Sequence, residues 1–307
     1  MEINHSKQYS TAEEEEQRKV NFLQTLQTIA KHNELFNSGL ESYEMGVNQF
    51  ADLTDAEYKS MFSMPDPTVQ KPALAEPYIA DPESLSSVPK SFDWRQSGKV
   101  TPVRNQGSCG SCWAFSVIAA IESAYAIKKN KPGINLSEEQ LVDCMNSKCG
   151  GQLITKGFDY VKAHGVENEG QYPYKAGSGH YGKCTEKASA PHTHIKGYKG
   201  LGHASGPNLA TDGQIMAAIQ ANGPLSMQFN AAGNDFRNYK SGVITSNDMS
   251  WSAAHAVLLI GWGTEGGHDY WLFKNSWGTA WGAKGYFKMA RGHNLRHINE
   301  FLYIPTL

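Results

Sequence analysis

Cys112 stands where a Gly-rich turn runs directly into an apolar, helix-forming segment, in the stretch Gln106-Gly107-Ser108-Cys109-Gly110-Ser111-Cys112-Trp113-Ala114-Phe115. A sulfur at a helix N-terminus faces unpaired backbone N–H groups and the positive end of the helix dipole, and both favour thiolate over thiol. The chemistry this invites is nucleophilic attack, which needs a proton acceptor and a group to hold that acceptor, both brought in from distant parts of the chain. Two rival readings share the residues. Cys109 and Cys112 form a C-x-x-C pair suited to dithiol redox chemistry, and with Cys144 and Cys149 they could hold zinc. The chain has five cysteines, at 109, 112, 144, 149 and 184. An odd number leaves one unpaired, and the pairing itself is open at this point.

The Cys112 stretch resembles the active-site signature of the papain and cathepsin cysteine proteases. Other motifs extend the resemblance over nearly the whole chain. Glu14, Arg18, Phe22, Ile29 and Asn33 fall on the interrupted E-R-F-N-I-N pattern of cathepsin L-like propeptides, with Thr25 where that pattern has Asn. Gly46, Asn48, Phe50 and Asp52 match G-x-N-x-F-x-D. His255 stands in a His-Ala-Val motif and Asn275 in Asn-Ser-Trp. The resemblance implies a cysteine endopeptidase zymogen in which Cys112 attacks the peptide carbonyl, His255 is the acid and base, Asn275 orients the imidazole, and Trp277 shields that bond from water. Gln106, six residues before Cys112, would join the Cys112 N–H as an oxyanion donor. Disulfides Cys109–Cys149 and Cys144–Cys184 are implied, leaving Cys112 free. A silent binding homologue is the remaining alternative, and the intact set of four site residues argues against it.

The substrate-binding positions carried over are Gly110, Gly150, Gly151, Gln152, Leu153, Gln228, Ala253, Ala254, Trp277 and Phe301. Gly150 and Gly151 would pair with substrate main chain, although no Asn follows Cys149 here. Phe301 would shorten the second subsite, and two glutamines would make it more polar, so a small or medium apolar side chain is expected two residues before the cut. Ala254 replaces an Asp usual before the histidine. A third disulfide usual in the second lobe is absent, with Arg296 in one of its places.

The elements that must position these residues follow from pattern. Residues 11–37 read as one amphipathic helix, with Phe22, Leu26, Ile29, Asn33, Leu23 and Ala30 at helical spacing and an acidic run from Glu13 to Glu16 near its start. Thr54 with Glu57, and Ser137 with Gln140, read as capping boxes. Residues 64–89 carry six prolines and no helical periodicity, which predicts an extended linker. A strong helix runs from Cys112 to about Lys129. Beyond Ile195, β-prone runs at residues 256–260, 269–273 and 285–289 predict antiparallel strands. The implied fold is α+β, papain-like and two-lobed. A prodomain and linker (1–87) precede a mature peptidase (88–307), with a helical lobe over about 98–195 and a β-barrel-like lobe over 196–307 joined by 88–97.

Composition sets limits on partners. With 307 residues, 40% of them hydrophobic, the chain can bury a substantial core. A net charge of −2 with 19% charged residues argues against a nucleic-acid or anionic-membrane partner. No apolar run reaches the ~18 residues of a spanning helix. Met1 to His5 carry no apolar leader, so any export signal is expected to have been trimmed or never present. The expected partners are peptide and protein substrates and the chain's own propeptide, for a monomer without cofactor or metal in a lysosomal or secreted setting. Asn4-His5-Ser6 and Asn135-Leu136-Ser137 are glycosylation sequons.

Overall fold

The structure is a computed structural model and describes residues 7–62 and 64–307. The leader segment and the Asn4 sequon lie outside these residues. Helix α1 (Ala12–Asn37) starts where the Thr11 side chain accepts the Glu14 N–H, with Glu13, Glu14 and Glu15 in its first turn, so charge and cap agree with the dipole. Its apolar stripe is narrower than the spacing predicts. Ile29 is buried and Phe22 and Leu26 are half-buried, but Leu23 and Ala30 face solvent. The cause is a small support: α1 packs chiefly on β1 (Tyr43–Met45), a three-residue strand. Helix α2 (Asp55–Ser60) opens on the predicted reciprocal capping box between Thr54 and Glu57.

The linker departs from expectation at one place. Its prolines exclude long elements, and Glu76–Pro77 (β2) lies extended beside the sheet, but Asp81 caps a short helix α3 (Pro82–Ser86). Proline at the first helical position forfeits only an N–H that would be unpaired there anyway. After β3 (Phe92–Asp93), the helical lobe contains α4 (Cys112–Lys128), α5 (Glu138–Cys144) and α6 (Ile154–His164). Helix α4 is apolar all round and therefore central, buried almost throughout from Cys112 to Ala126. Ser137 caps α5 through the Gln140 N–H, but the predicted box does not close, because the Gln140 side-chain oxygen accepts the Glu167 N–H instead.

The β lobe adds β4 (Gly197–Gly202), α7 (Asp212–Asn222), β5 (Leu225–Asn230), α8 (Asn234–Arg237), β6 (Tyr239–Ile244), β7 (Ala254–Glu265), β8 (His268–Lys274), β9 (Tyr286–Ala290) and β10 (Phe301–Thr306). The sheet runs β1-β6-β9-β8-β7-β5-β10-β4-β2, with β3 on β7. Most ladders are antiparallel, but β6–β9 and β2–β4 are parallel, which corrects the all-antiparallel expectation. The chain between β6 and β9 contains the whole β7–β8 hairpin, long enough for the crossover that parallel pairing requires. Helix α4 packs on β7 and β5 between the lobes. Residues before position 88 thus supply both ends of the sheet path, β1 and β2.

Candidate active site

Cys112 is the first residue of α4, and the Ser111 hydroxyl before it accepts no N–H of the helix. Backbone N–H groups of Ala256, Trp113 and Cys112 itself favour a charged sulfur, yet full burial outweighs them and pushes the thiol up to about 11. Ala256 follows His255 on β7, so one of these N–H groups comes from the strand that carries the imidazole. Burial thus works against the thiolate in this form. The helix dipole favours it, but removal of solvent disfavours any charge more strongly.

His255 is completely buried, and burial lowers its imidazole to about 4, against the raising effect of its bond to Asn275. The Nε2–H donates to Asn275 Oδ1 at 2.8 Å, and Nδ1 has no partner among the described residues. Asn275 Oδ1 also accepts the Ser276 N–H, which fixes the amide orientation. Trp277 stacks on the imidazole with ring centroids 4.8 Å apart. Phe229 and Phe236 flank the ring at 6.0 and 6.5 Å, and Phe62 meets it edge-on at 5.4 Å. Phe62 lies just after α2, in the N-terminal part of the chain.

Gln106 is 1% exposed. Its Nε2 donates to the Cys109 carbonyl and its Oε1 accepts from Ser276 Oγ, so one amide hydrogen remains without an acceptor among the described residues. The Gln106 carbonyl accepts from Tyr174, whose hydroxyl also meets Ser111 Oγ. Gly107 has φ +62°, and a Cβ there would lie 2.0 Å from the Gly177 carbonyl oxygen, so only glycine permits this turn. Disulfides join Cys109 to Cys149 and Cys144 to Cys184, and Cys112 is the free cysteine. The dithiol and zinc readings fail on this pairing, because Cys109 is bonded to Cys149 rather than poised for Cys112. Gly110 and Gly150 form an isolated parallel β-bridge.

Among the other carried-over positions, Gly151 has φ +74°, Leu153 is buried at the start of α6, and Gln152 bonds the Leu153 N–H. Gln228 faces Phe301 and Ala256 in register, with its Nε2 unpartnered. Ala253 donates its N–H to Asn230, and both Ala253 and Ala254 are buried. Arg296 donates to the carbonyls of Asn230 and Ala232 and pairs with Asp235, a polar tie where the resembled family has a disulfide.

The prodomain motifs serve two purposes. Within the prodomain, Arg18 bridges Glu57 at 2.8 Å and lies 3.6 Å from Glu14. Asn33 clamps both the N–H and the carbonyl of Met45, and Asp52 takes Lys7 at 2.8 Å and Tyr9 at 3.1 Å. Against the β lobe, the Gly46 N–H donates to Asn238, Asn48 donates to the Arg237 carbonyl, and Phe50 meets Trp277 edge-on at 4.9 Å. Sequence reasoning missed Phe62, Tyr174 and Arg237. The only trace of Phe62 is its spacing of four from Tyr58, and Tyr174 and Arg237 have no local signal at all.

Residues 88–306 match the papain family cysteine protease pattern, and residues 3–58 match the cathepsin propeptide inhibitor domain. A cysteine protease of Blomia tropicalis is 36% identical over 98% of this chain and 89% of its own length. A cathepsin L of Sarcophaga peregrina is 37% identical over 95% and 86%. The structure of digestive procathepsin L2 from Tenebrio molitor larval midgut superposes with a TM-score of 0.86 at 37% identity, covering all of this chain and 97% of that one. With a free thiol, a held imidazole and an inhibitor domain packed against Trp277 beside that imidazole, the chain belongs to the papain family of cysteine proteases, as a cathepsin L-like zymogen.

Proposed function

We propose that residues 88–307 form an endopeptidase held latent by residues 1–87. Cys112 is the nucleophile, with His255, Asn275 and Gln106 completing the catalytic set. Once the prodomain leaves, the thiol proton passes to His255 Nδ1 and the sulfur attacks a peptide carbonyl carbon. The oxyanion takes the free Gln106 amide hydrogen and the Cys112 N–H. The C–N bond breaks as His255 protonates the leaving amine, and water, with His255 as base, then releases the acyl group from sulfur. The observation that carries this reading is the Nε2 bond to Asn275. It leaves Nδ1 without a partner among the described residues, on a strand whose next N–H favours charge on the Cys112 sulfur.

Gly110, Gly150 and Gly151 would pair with substrate main chain. Gln152, Leu153, Gln228, Ala253 and Phe301 would line a short pocket for a small or medium apolar side chain, with Ala254 and Trp277 beyond the cut. Two disulfides suit an oxidising compartment, lysosomal or secreted, and the protein is taken to act as a monomer. After acid treatment the enzyme should cleave a fluorogenic dipeptide amide. Iodoacetamide should abolish that activity by modifying Cys112 alone, and inactivation without Cys112 labelling would sink the assignment.

A further inference from the structure

Arg237 ends α8 with its side chain almost wholly buried, at 4% exposure. Its polar partners among the described residues are all prodomain groups: the guanidinium donates to the carbonyls of Phe50 and Leu53 and lies 5.4 Å over the Tyr58 ring. The charges and dipoles that offset its burial belong to Tyr58, Asp55, Asp52 and Glu57, all in the prodomain. On the β-lobe side the adjacent carboxylate, Asp235, is already taken by Arg296 and Ser246. Removal of residues 1–87 therefore leaves a cation, with its planar fork of donors, that has lost every acceptor it used.

Its position relative to the chemistry follows from the proton. The leaving amine must sit at His255 to be protonated, so the peptide after the cut departs on the His255 side. Trp277 stacks on His255, the Tyr58 ring lies 6.2 Å from Trp277, and the Arg237 guanidinium lies 5.4 Å over Tyr58. The space that Tyr58, Phe50 and Leu53 vacate is bounded by Trp277 and by the guanidinium. We infer that Arg237 becomes, in the matured enzyme, a carboxylate-binding subsite for the leaving peptide, filled by an acidic side chain or by a nearby chain terminus. This rests on the peptidase reading above. A guanidinium freed from two neutral carbonyls gains most from an ionised, bidentate acceptor.

The test uses internally quenched peptides carrying Glu or Gln at each of about four positions after the cut, the span that an extended chain needs to pass Trp277. At about pH 6, where Glu is ionised, one Glu peptide should exceed its Gln twin about 5- to 20-fold in kcat/KM, mainly through KM. Arg237→Gln should reduce the ratio to about twofold or less, and Arg237→Lys should keep part of it. A second arm compares free-acid and amidated C-termini on short leaving peptides, and a preference there assigns the carboxylate to the chain end. Equal rates for Glu and Gln, and for acid and amide, would overturn the subsite, as would a ratio that survives Arg237→Gln. The wild-type comparison needs no variant to fold. A dipeptidyl coumarylamide, with no peptide after the cut, reads the chemistry separately, so its failure would count against the peptidase reading rather than against Arg237.

Discussion

At the scale of single residues, latency is a matter of charge as much as of access. The Cys112 thiol, pushed up to about 11 by burial, is only about 10⁻⁴ ionised at neutral pH. Labelling of Cys112 by iodoacetamide in the intact zymogen, followed by mass spectrometry, should therefore rise about tenfold per pH unit through the neutral range. After prodomain removal it should become fast and nearly independent of pH there. A flat profile in the zymogen would show a thiolate already present. The Asn275 bond is the orienting contact for the imidazole, so Asn275→Ala should lower kcat by about 10- to 100-fold with little change in KM. Steady-state kinetics on a dipeptide amide would read both constants.

At the scale of elements, the acid sensitivity of the prodomain has to come from outside the catalytic pair. A neutral thiol with a neutral imidazole and a thiolate with an imidazolium carry the same number of protons, so their exchange on release is not driven by pH. The clasp between α1 and α2 is different. Burial alone would raise the Glu57 carboxyl, but Arg18 and the N–H and hydroxyl of Thr54 outweigh it and hold it below its ordinary value. A depressed carboxylate contributes stability fully above the usual range, about 4.3, and that contribution disappears as pH falls through the lower native value. Glu57→Gln should therefore speed activation at neutral pH by about 2- to 5-fold, a modest change because the pair is partly exposed, and flatten its rise below pH 5. Timed activation with a fluorogenic substrate across pH checks this. Asp52→Asn, which removes the Lys7 and Tyr9 contacts, is the parallel test, and unchanged latency and acid activation would exclude Asp52 as a trigger.

At the scale of the whole molecule, buried charges of the helical lobe lie where Lys274 of the β lobe reaches across to donate to the Thr101 hydroxyl at 3.1 Å. Arg104 pairs with Glu122 at 2.6 Å and with Glu138. Burial raises the Glu138 carboxyl and lowers Lys274, the neighbour of Asn275, to about 8. Removing one partner of such a group strands the others, so Arg104→Met should destabilise the fold by about 3–5 kcal/mol. Denaturant unfolding of the zymogen in a Cys112→Ser background, which prevents self-digestion, measures this. A loss below about 1 kcal/mol would mean that the carboxylates find water or each other.

What the sequence determined by itself is whatever its neighbours within a few residues can fix. The Thr11 and Thr54 caps, the start of α4 at Cys112 and the strands around His255 and Trp271 are set by short-range hydrogen bonds and side-chain periodicity. The motifs around Gln106, Cys112, His255 and Asn275 are legible for the same reason. Only the tertiary structure decided which surfaces cover them. Gln140 abandons its local box for Glu167, Phe62 closes over His255, and Arg237 donates to carbonyls nearly two hundred positions away in the chain. The charge state of a buried thiol or imidazole depends on the removal of water by those distant surfaces, and no local pattern encodes that removal.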